Sequence, residues 1–144
     1  MLFTRRSFLT ALAAAPALAG LSGVAAKAQS AQTSASQVPK GLALVMFEQP
    51  GCPYCAAWNR DVAPTYPKTD EGRAAPLYRR NIHDPIPAGM KLTVPPQFTP
   101  TFVLLENGQE VGRIQGYPGA DFFWALLDEL LKKAKGANDA QPKT

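Results

Sequence analysis

The two cysteines of this chain stand three positions apart, in Cys52-Pro53-Tyr54-Cys55. Just upstream, Gly41-Leu-Ala-Leu-Val-Met-Phe47 is a short unbroken apolar run, the pattern of a strand buried on both faces. Downstream, Ala56, Ala57, Trp58 and Val62 can share one side of a helix. Pro64 would bend or end that helix, because proline lacks the intrahelical donor. Whatever the fold, the dithiol therefore sits where a buried strand hands over to a helix.

That position decides among three uses for a cysteine pair. A bridge closing a loop of about four residues restricts the unfolded chain by only roughly 2 kcal/mol, against about 4–5 for a loop of a hundred, so a structural staple would be badly placed. A zinc site needs three or four ligands, and the single histidine, His83, reads as an exposed loop residue after a strand. No metal is expected. A working dithiol fits better. If Cys52 caps the helix behind it, its sulfur lies beside unpaired backbone N–H groups and the positive end of the helix dipole, which favours thiolate over thiol. Cys52 is then the nucleophile. Cys55, one turn further in, is within disulfide reach and resolves the mixed disulfide.

The remaining chain supplies the other elements of one small domain. Residues 65–73 are polar and turn-rich, and Leu77-Tyr-Arg-Arg-Asn-Ile82 has the β-forming members of a second strand. Residues 84–100 carry five of the fourteen prolines and read as irregular, with a helical turn near 88–92. Thr101-Phe-Val-Leu-Leu105 and Glu110-Val-Gly-Arg-Ile114 flank Asn107-Gly108, a hairpin signal because both turn residues tolerate positive φ. A closing helix is predicted over 120–135. Phe123, Leu126, Leu127, Leu130 and Ala134 recur at helical spacing, Asp121 lies in the first turn, lysines lie in the last, and Gly136 serves as the stop. Trp124 reads as packing or partly exposed surface.

The first residues concern destination. Arg5-Arg6 precede an uncharged alanine-rich run ending in Ala26-Lys27-Ala28, a small-x-small cleavage pattern. Residues 1–28 are expected to be an export signal of twin-arginine type cleaved near Ala28, with Thr10 where a lysine is common, so the general secretory route stays open. Pro16, Gly20, Ser22 and Gly23 interrupt the run and argue against a permanent span. Arg5, Arg6 and Lys27 are three of the fifteen basic residues, so twelve remain against eleven acidic ones and the net charge falls from +4 to +1. With charges mixed along the chain, no nucleic-acid surface is expected. Residues 29–39 read as a flexible lead-in, 40–135 as the domain and 136–144 as a flexible tail.

Strand, Cys-x-x-Cys, helix, strand, then Thr99-Pro100-Thr101, the hairpin, Gly116 and a terminal helix resemble a thioredoxin-fold thiol-disulfide oxidoreductase over 40–135. The resemblance implies an α/β thioredoxin-like fold, a central mixed β-sheet flanked by helices. It also implies a cis Pro100 against the cysteines, and a Thr99 backbone offered to an extended substrate. In the same resemblance Pro53, Tyr54 and Gly116 are expected to complete the surroundings of the dithiol. Thr93-Val94-Pro95 matches the corresponding glutaredoxin motif, as Cys-Pro-Tyr-Cys does, but Pro95 is followed by another proline and Pro100 opens an apolar run directly. Cytoplasmic thioredoxins carry a buried aspartate in the preceding strand where this chain has Met46. Glu48, at the strand end, could relay a proton to Cys55 or be plain surface. Tyr54 could meet the partner or simply shield Cys55.

A narrower resemblance, through Phe47-Glu-Gln-Pro-Gly-Cys-Pro-Tyr-Cys55, is to the periplasmic SoxS/SoxW-type thioredoxins of sulfur-oxidising bacteria. It implies a monomeric exported protein-disulfide reductase with no cofactor beyond the Cys52–Cys55 disulfide. That reductase would be recharged by an inner-membrane thiol relay and would keep the SoxYZ carrier protein active. A disulfide-forming oxidant or a glutaredoxin-like enzyme is the alternative, since Pro-Tyr between the cysteines suggests a potential near about −200 to −230 mV. A non-catalytic copper- or peptide-binding module on the same scaffold is the alternative of another class.

Overall fold

The apolar run forms β1 (Leu42–Glu48), the strand around which the domain is built. The computed structural model describes residues 38–139, with side chains to 137. The predicted leader, most of the lead-in and residues 140–144 of the tail lie outside the described residues. β1 pairs in parallel with β2 (Leu77–Asn81) and antiparallel with β3 (Thr101–Glu106), and β3 pairs antiparallel with β4 (Gln109–Gln115). The order is β2-β1-β3-β4, a mixed four-stranded sheet.

Alternation along β1 and β3 produces two cores. Leu44, Met46, Phe102 and Leu104 pack under the helices α1 (Pro53–Asp61) and α3 (Ala120–Asp139). Val45, Phe47, Val103 and Leu105 face the other way, onto Met90 with Val38, Ile82, Ile86 and Leu92 around them. The proline-rich segment thus covers the second sheet face in place of a helix. Its predicted helical turn at 88–92 is instead one tight turn, Met90 N–H to the Pro87 carbonyl at 2.8 Å, after which Lys91 bridges to Gln109.

Three further expectations are corrected. Residues 65–73 hold a 3₁₀ turn (Tyr66–Lys68) and the helix α2 (Asp70–Ala74), started by the Thr69 hydroxyl accepting from Gly72 N–H at 3.1 Å. In α1 the inward side is Cys52, Cys55, Trp58 and then Val62, whereas Ala56 is exposed. Pro53 fixes where the helix starts, so Cys55 takes the place three residues before Trp58. In α3 the buried stripe is Phe123, Leu127, Leu131 and Ala134; Leu126 is exposed, and the helix runs through Gly136 to Asp139. A glycine at 136 costs a helix only about 1 kcal/mol, which does not by itself end it.

Trp58 anchors the helical core. It is fully buried among Tyr66, Phe102 and Phe123, with ring centroids 5.2–6.2 Å away, and Trp124 stacks on Tyr66 at 5.8 Å. The Tyr66 hydroxyl donates to the Ala75 carbonyl at 2.7 Å, and burial, with the Glu71 charge behind it, pushes its pKa up. The predicted hairpin is present: Asn107 and Gly108 both have positive φ, 49° and 82°. Asn107 also reaches back to the start of β1, its Oδ1 accepting from Gly41 N–H at 2.9 Å and its N–H donating to the Gly41 carbonyl at 2.8 Å.

Candidate active site

Cys52 is the N-cap of α1. Its backbone is extended (φ −75°, ψ 111°), Pro53 opens the first turn, and its Sγ accepts from Cys55 N–H at 3.1 Å. One of the N–H groups that a helix start leaves without an intrahelical partner is thereby aimed at the sulfur. Cys52 and Cys55 form a disulfide, their Cα atoms 5.3 Å apart and their residues 8 % and 3 % exposed. Gly51, with φ of 78° and open space around it, turns the chain from β1 into the cap.

The sheet register brings the later motif to the same end. Phe47 lies opposite Thr101, and Thr101 opposite Gln115. Pro100 and Gly116 therefore stand just past the strand ends on the side where β1 leads to Cys52. Gly116 N–H donates to the Pro100 carbonyl at 2.7 Å, and among the described residues the cis peptide bond falls at Thr99–Pro100. Thr99 is half-buried, and its N–H and C=O engage no other described residue. Beyond Gly116 (φ 83°), the Tyr117 hydroxyl donates to Asp61 Oδ2 at 3.3 Å, tying this corner to the end of α1.

Glu48 ends β1 and does not stand alone. Both of its carboxylate oxygens accept from Arg79 Nη1, at 2.8 and 2.9 Å, while Arg79 Nη2 donates to Asn59 Oδ1 at 2.6 Å and the guanidinium lies 5.5 Å from the Trp58 ring centre. A cation over an indole face is held electrostatically as well as by packing. Trp58 Nε1, buried beneath this group, has no hydrogen-bond partner among the described residues. An open cleft of about 360 Å³ adjoins the Glu48–Arg79 pair, lined by Glu48, Gln49, Pro50, Arg79, Arg80 and Asn81. His83 is exposed as expected, its Nε2 3.2 Å from Gln49 Oε1. Tyr54, 62 % exposed, projects from the first turn of α1. Among the described residues no cluster of three or more His, Cys, Asp or Glu is placed to hold a metal ion.

Sequence reasoning missed two groups. Arg79 sits in a strand of mixed polarity, and nothing in that stretch singles it out; its partner Glu48 lies 31 residues away. The other is a buried pair on β4, Glu110 and Arg113, with side chains 6 % and 13 % exposed. Arg113 Nε and Nη2 donate to the two Glu110 oxygens at 2.6 Å. Thr93 N–H donates to Glu110 at 2.7 Å, and Arg113 Nη2 to the Val94 carbonyl at 2.8 Å. This clamp fastens the segment leading to Thr99 and Pro100 onto the sheet.

Comparison with known proteins gives this arrangement its family. Residues 28–131 match the family described as the thioredoxin-like domain. The chain belongs to that family. The thioredoxin-like chain is also similar to the crystal structure of the periplasmic thioredoxin SoxS from Paracoccus pantotrophus in its reduced form. The two are 57 % identical, with a TM-score of 0.64, over 65 % of this chain and 98 % of that one. A thioredoxin from Malassezia sympodialis, Mala s 13, matches at 19 % identity and a TM-score of 0.45, over 68 % of this chain and 79 % of that one. No curated protein matched the sequence. With the family shown and the disulfide at the helix cap, the thioredoxin-like chain is a thiol-disulfide oxidoreductase.

Proposed function

We propose that this thioredoxin-like protein is an exported, monomeric protein-disulfide reductase of the periplasm that keeps the SoxYZ sulfur-carrier protein in its active, reduced state. The observation that carries the reading is the 57 % identity to a periplasmic SoxS across 98 % of that protein, joined to a Cys-x-x-Cys disulfide at a helix cap. In this reading residues 1–28 direct export and are removed near Ala28. An inner-membrane thiol relay recharges the dithiol, and no cofactor is needed beyond Cys52 and Cys55.

The exchange runs in two displacements. In the reduced protein the Cys52 thiolate attacks one sulfur of the partner's disulfide, forming a mixed disulfide and expelling the partner's other sulfur as a thiolate. The Cys55 thiolate then attacks Cys52 Sγ, restoring the Cys52–Cys55 disulfide and releasing the partner's second thiolate. Two electrons pass to the partner. The N–H groups at the cap, Cys55 N–H foremost, stabilise the Cys52 thiolate before attack. The free backbone of Thr99 pairs with the partner's extended chain beside the sulfurs, in the manner of an added strand.

Reduced protein mixed with oxidised SoxYZ should lose its own two thiols as SoxYZ gains two, counted by alkylation and mass spectrometry. SoxYZ left unchanged, while an unrelated protein disulfide is reduced, would remove the partner and keep the reductase. Thiols lost from reduced partner proteins to the oxidised chain, with no flow the other way, would make it a disulfide-forming oxidant.

Cys55 must lose its proton before it attacks, and Glu48 is the carboxylate assigned to take it, held in place by Arg79. Glu48→Gln should slow resolution of the mixed disulfide by about tenfold and change the pH dependence of that step. An unaltered pH profile would remove Glu48 from the mechanism.

A further inference from the structure

The segment entering the reactive corner has an inverted burial pattern. Pro96 and Pro100 are buried, Thr101 is fully buried, and between them Phe98 stands 64 % exposed. A single exposed apolar residue is ordinary on a protein surface. Its placement is what sets Phe98 apart. The Thr101 hydroxyl donates to the Phe98 carbonyl at 2.7 Å, fixing the backbone at that residue. The two buried prolines restrain the chain on either side, and the Glu110–Arg113 clamp fastens Thr93 and Val94 a few residues earlier. The ring is thus held out on a braced backbone, next to Thr99 and at the end of the sheet where the disulfide lies.

We propose that Phe98 is a specificity-determining residue for the partner, selecting an extended segment with an apolar side chain beside the attacked cysteine. The proposal rests on the protein-disulfide reductase reading, because only a polypeptide partner places side chains over Phe98. The chemistry itself seats that partner here. A sulfur reaching Cys52 brings its own backbone alongside Thr99, and the neighbouring side chains of an added strand then fall on what flanks Thr99. What flanks it on one side is an aromatic ring whose partial exposure ends when an apolar group covers it. An acidic neighbour would lose hydration there and meet the electron-rich face of the ring.

The test uses the full mature protein in its reduced form and three disulfides. Two are disulfide-linked peptide dimers, identical except for leucine or aspartate on both sides of the cysteine. The third is 5,5′-dithiobis(2-nitrobenzoate), which has no flanking chain. The second-order rate constant for oxidation of the protein should favour the leucine peptide by about tenfold, the usual weight of one aromatic anchor at an interface. Phe98→Ala should bring the two peptides within about twofold of each other and leave the small disulfide unchanged. Phe98→Leu should keep most of the preference. An unaltered peptide preference in Phe98→Ala, or equal slowing toward all three disulfides, overturns the proposal and leaves the reductase standing. A wild-type protein that reacts with the small disulfide and with neither peptide removes the protein-reductase reading, and this inference with it.

Discussion

Cys52→Ser is expected to lower the rate of protein-disulfide exchange on the order of a thousandfold or more, because a serine hydroxyl stays protonated at neutral pH and forms no bond to sulfur in exchange. Cys55→Ser should behave differently. Its Cys52 still attacks, but nothing resolves the product, so a covalent complex with the partner builds up. Non-reducing gels with mass spectrometry of the linked peptides would show residue 52 joined to the partner in Cys55→Ser and no complex in Cys52→Ser. The opposite pattern would exchange the two roles and contradict the cap geometry, in which Sγ of Cys52 receives the Cys55 N–H at 3.1 Å.

The second large effect concerns stability. Removing the Glu110 carboxylate leaves the Arg113 side chain, 13 % exposed and with Nη1 already without a hydrogen-bond partner among the described residues, largely buried without its counter-charge. Glu110→Gln is expected to cost about 3 kcal/mol at pH 7 by denaturant unfolding. The pH dependence carries a definite sign. Burial alone would raise the Glu110 pKa, but the hydrogen bonds from Arg113 and Thr93 and the Arg113 charge outweigh it, and the net shift is downward. A carboxylate whose folded pKa lies below its unfolded value, about 4.3, gives its full contribution above that value. The contribution is lost as the pH falls through the depressed folded pKa. The gap between wild type and Glu110→Gln should therefore be flat from pH 6 to 8 and shrink below about pH 4. A gap unchanged down to pH 2 would mean that the pair adds nothing through its charge.

Local pattern and spacing foretold the reactive end of the molecule well. The apolar run, the Cys-x-x-Cys cap, Pro100 ahead of its strand and Asn107-Gly108 each rest on a neighbour a few residues away, and each is found where the sequence places it. What escaped depends on geometry that counting cannot reach. Glu110 and Arg113 are three apart, so strict alternation puts them on opposite faces of β4. The register shift between Leu104 and Leu105 inserts one extra residue into β4 and returns both side chains to one face. Arg79 belongs to Glu48 and Asn59 only because β1, β2 and α1 meet there. In α3, Leu126 and Leu131 are equally plausible by spacing, and the rotation that buries Leu131 is set by the Trp58 cluster beneath. The polar stretch 65–73 hid its helix because a hydroxyl cap, with no apolar stripe, starts it.

The pairing of Gly41 with Asn107 bears on how the protein can be handled. β1 enters the domain at the hairpin and runs seven residues, about 23 Å, before it delivers the chain to the thiols. Whatever precedes Lys40, whether leader, affinity tag or tether to a surface, is thus attached at the pole opposite the reactive sulfurs. An amino-terminal anchor can hold the molecule with its reactive pole turned outward.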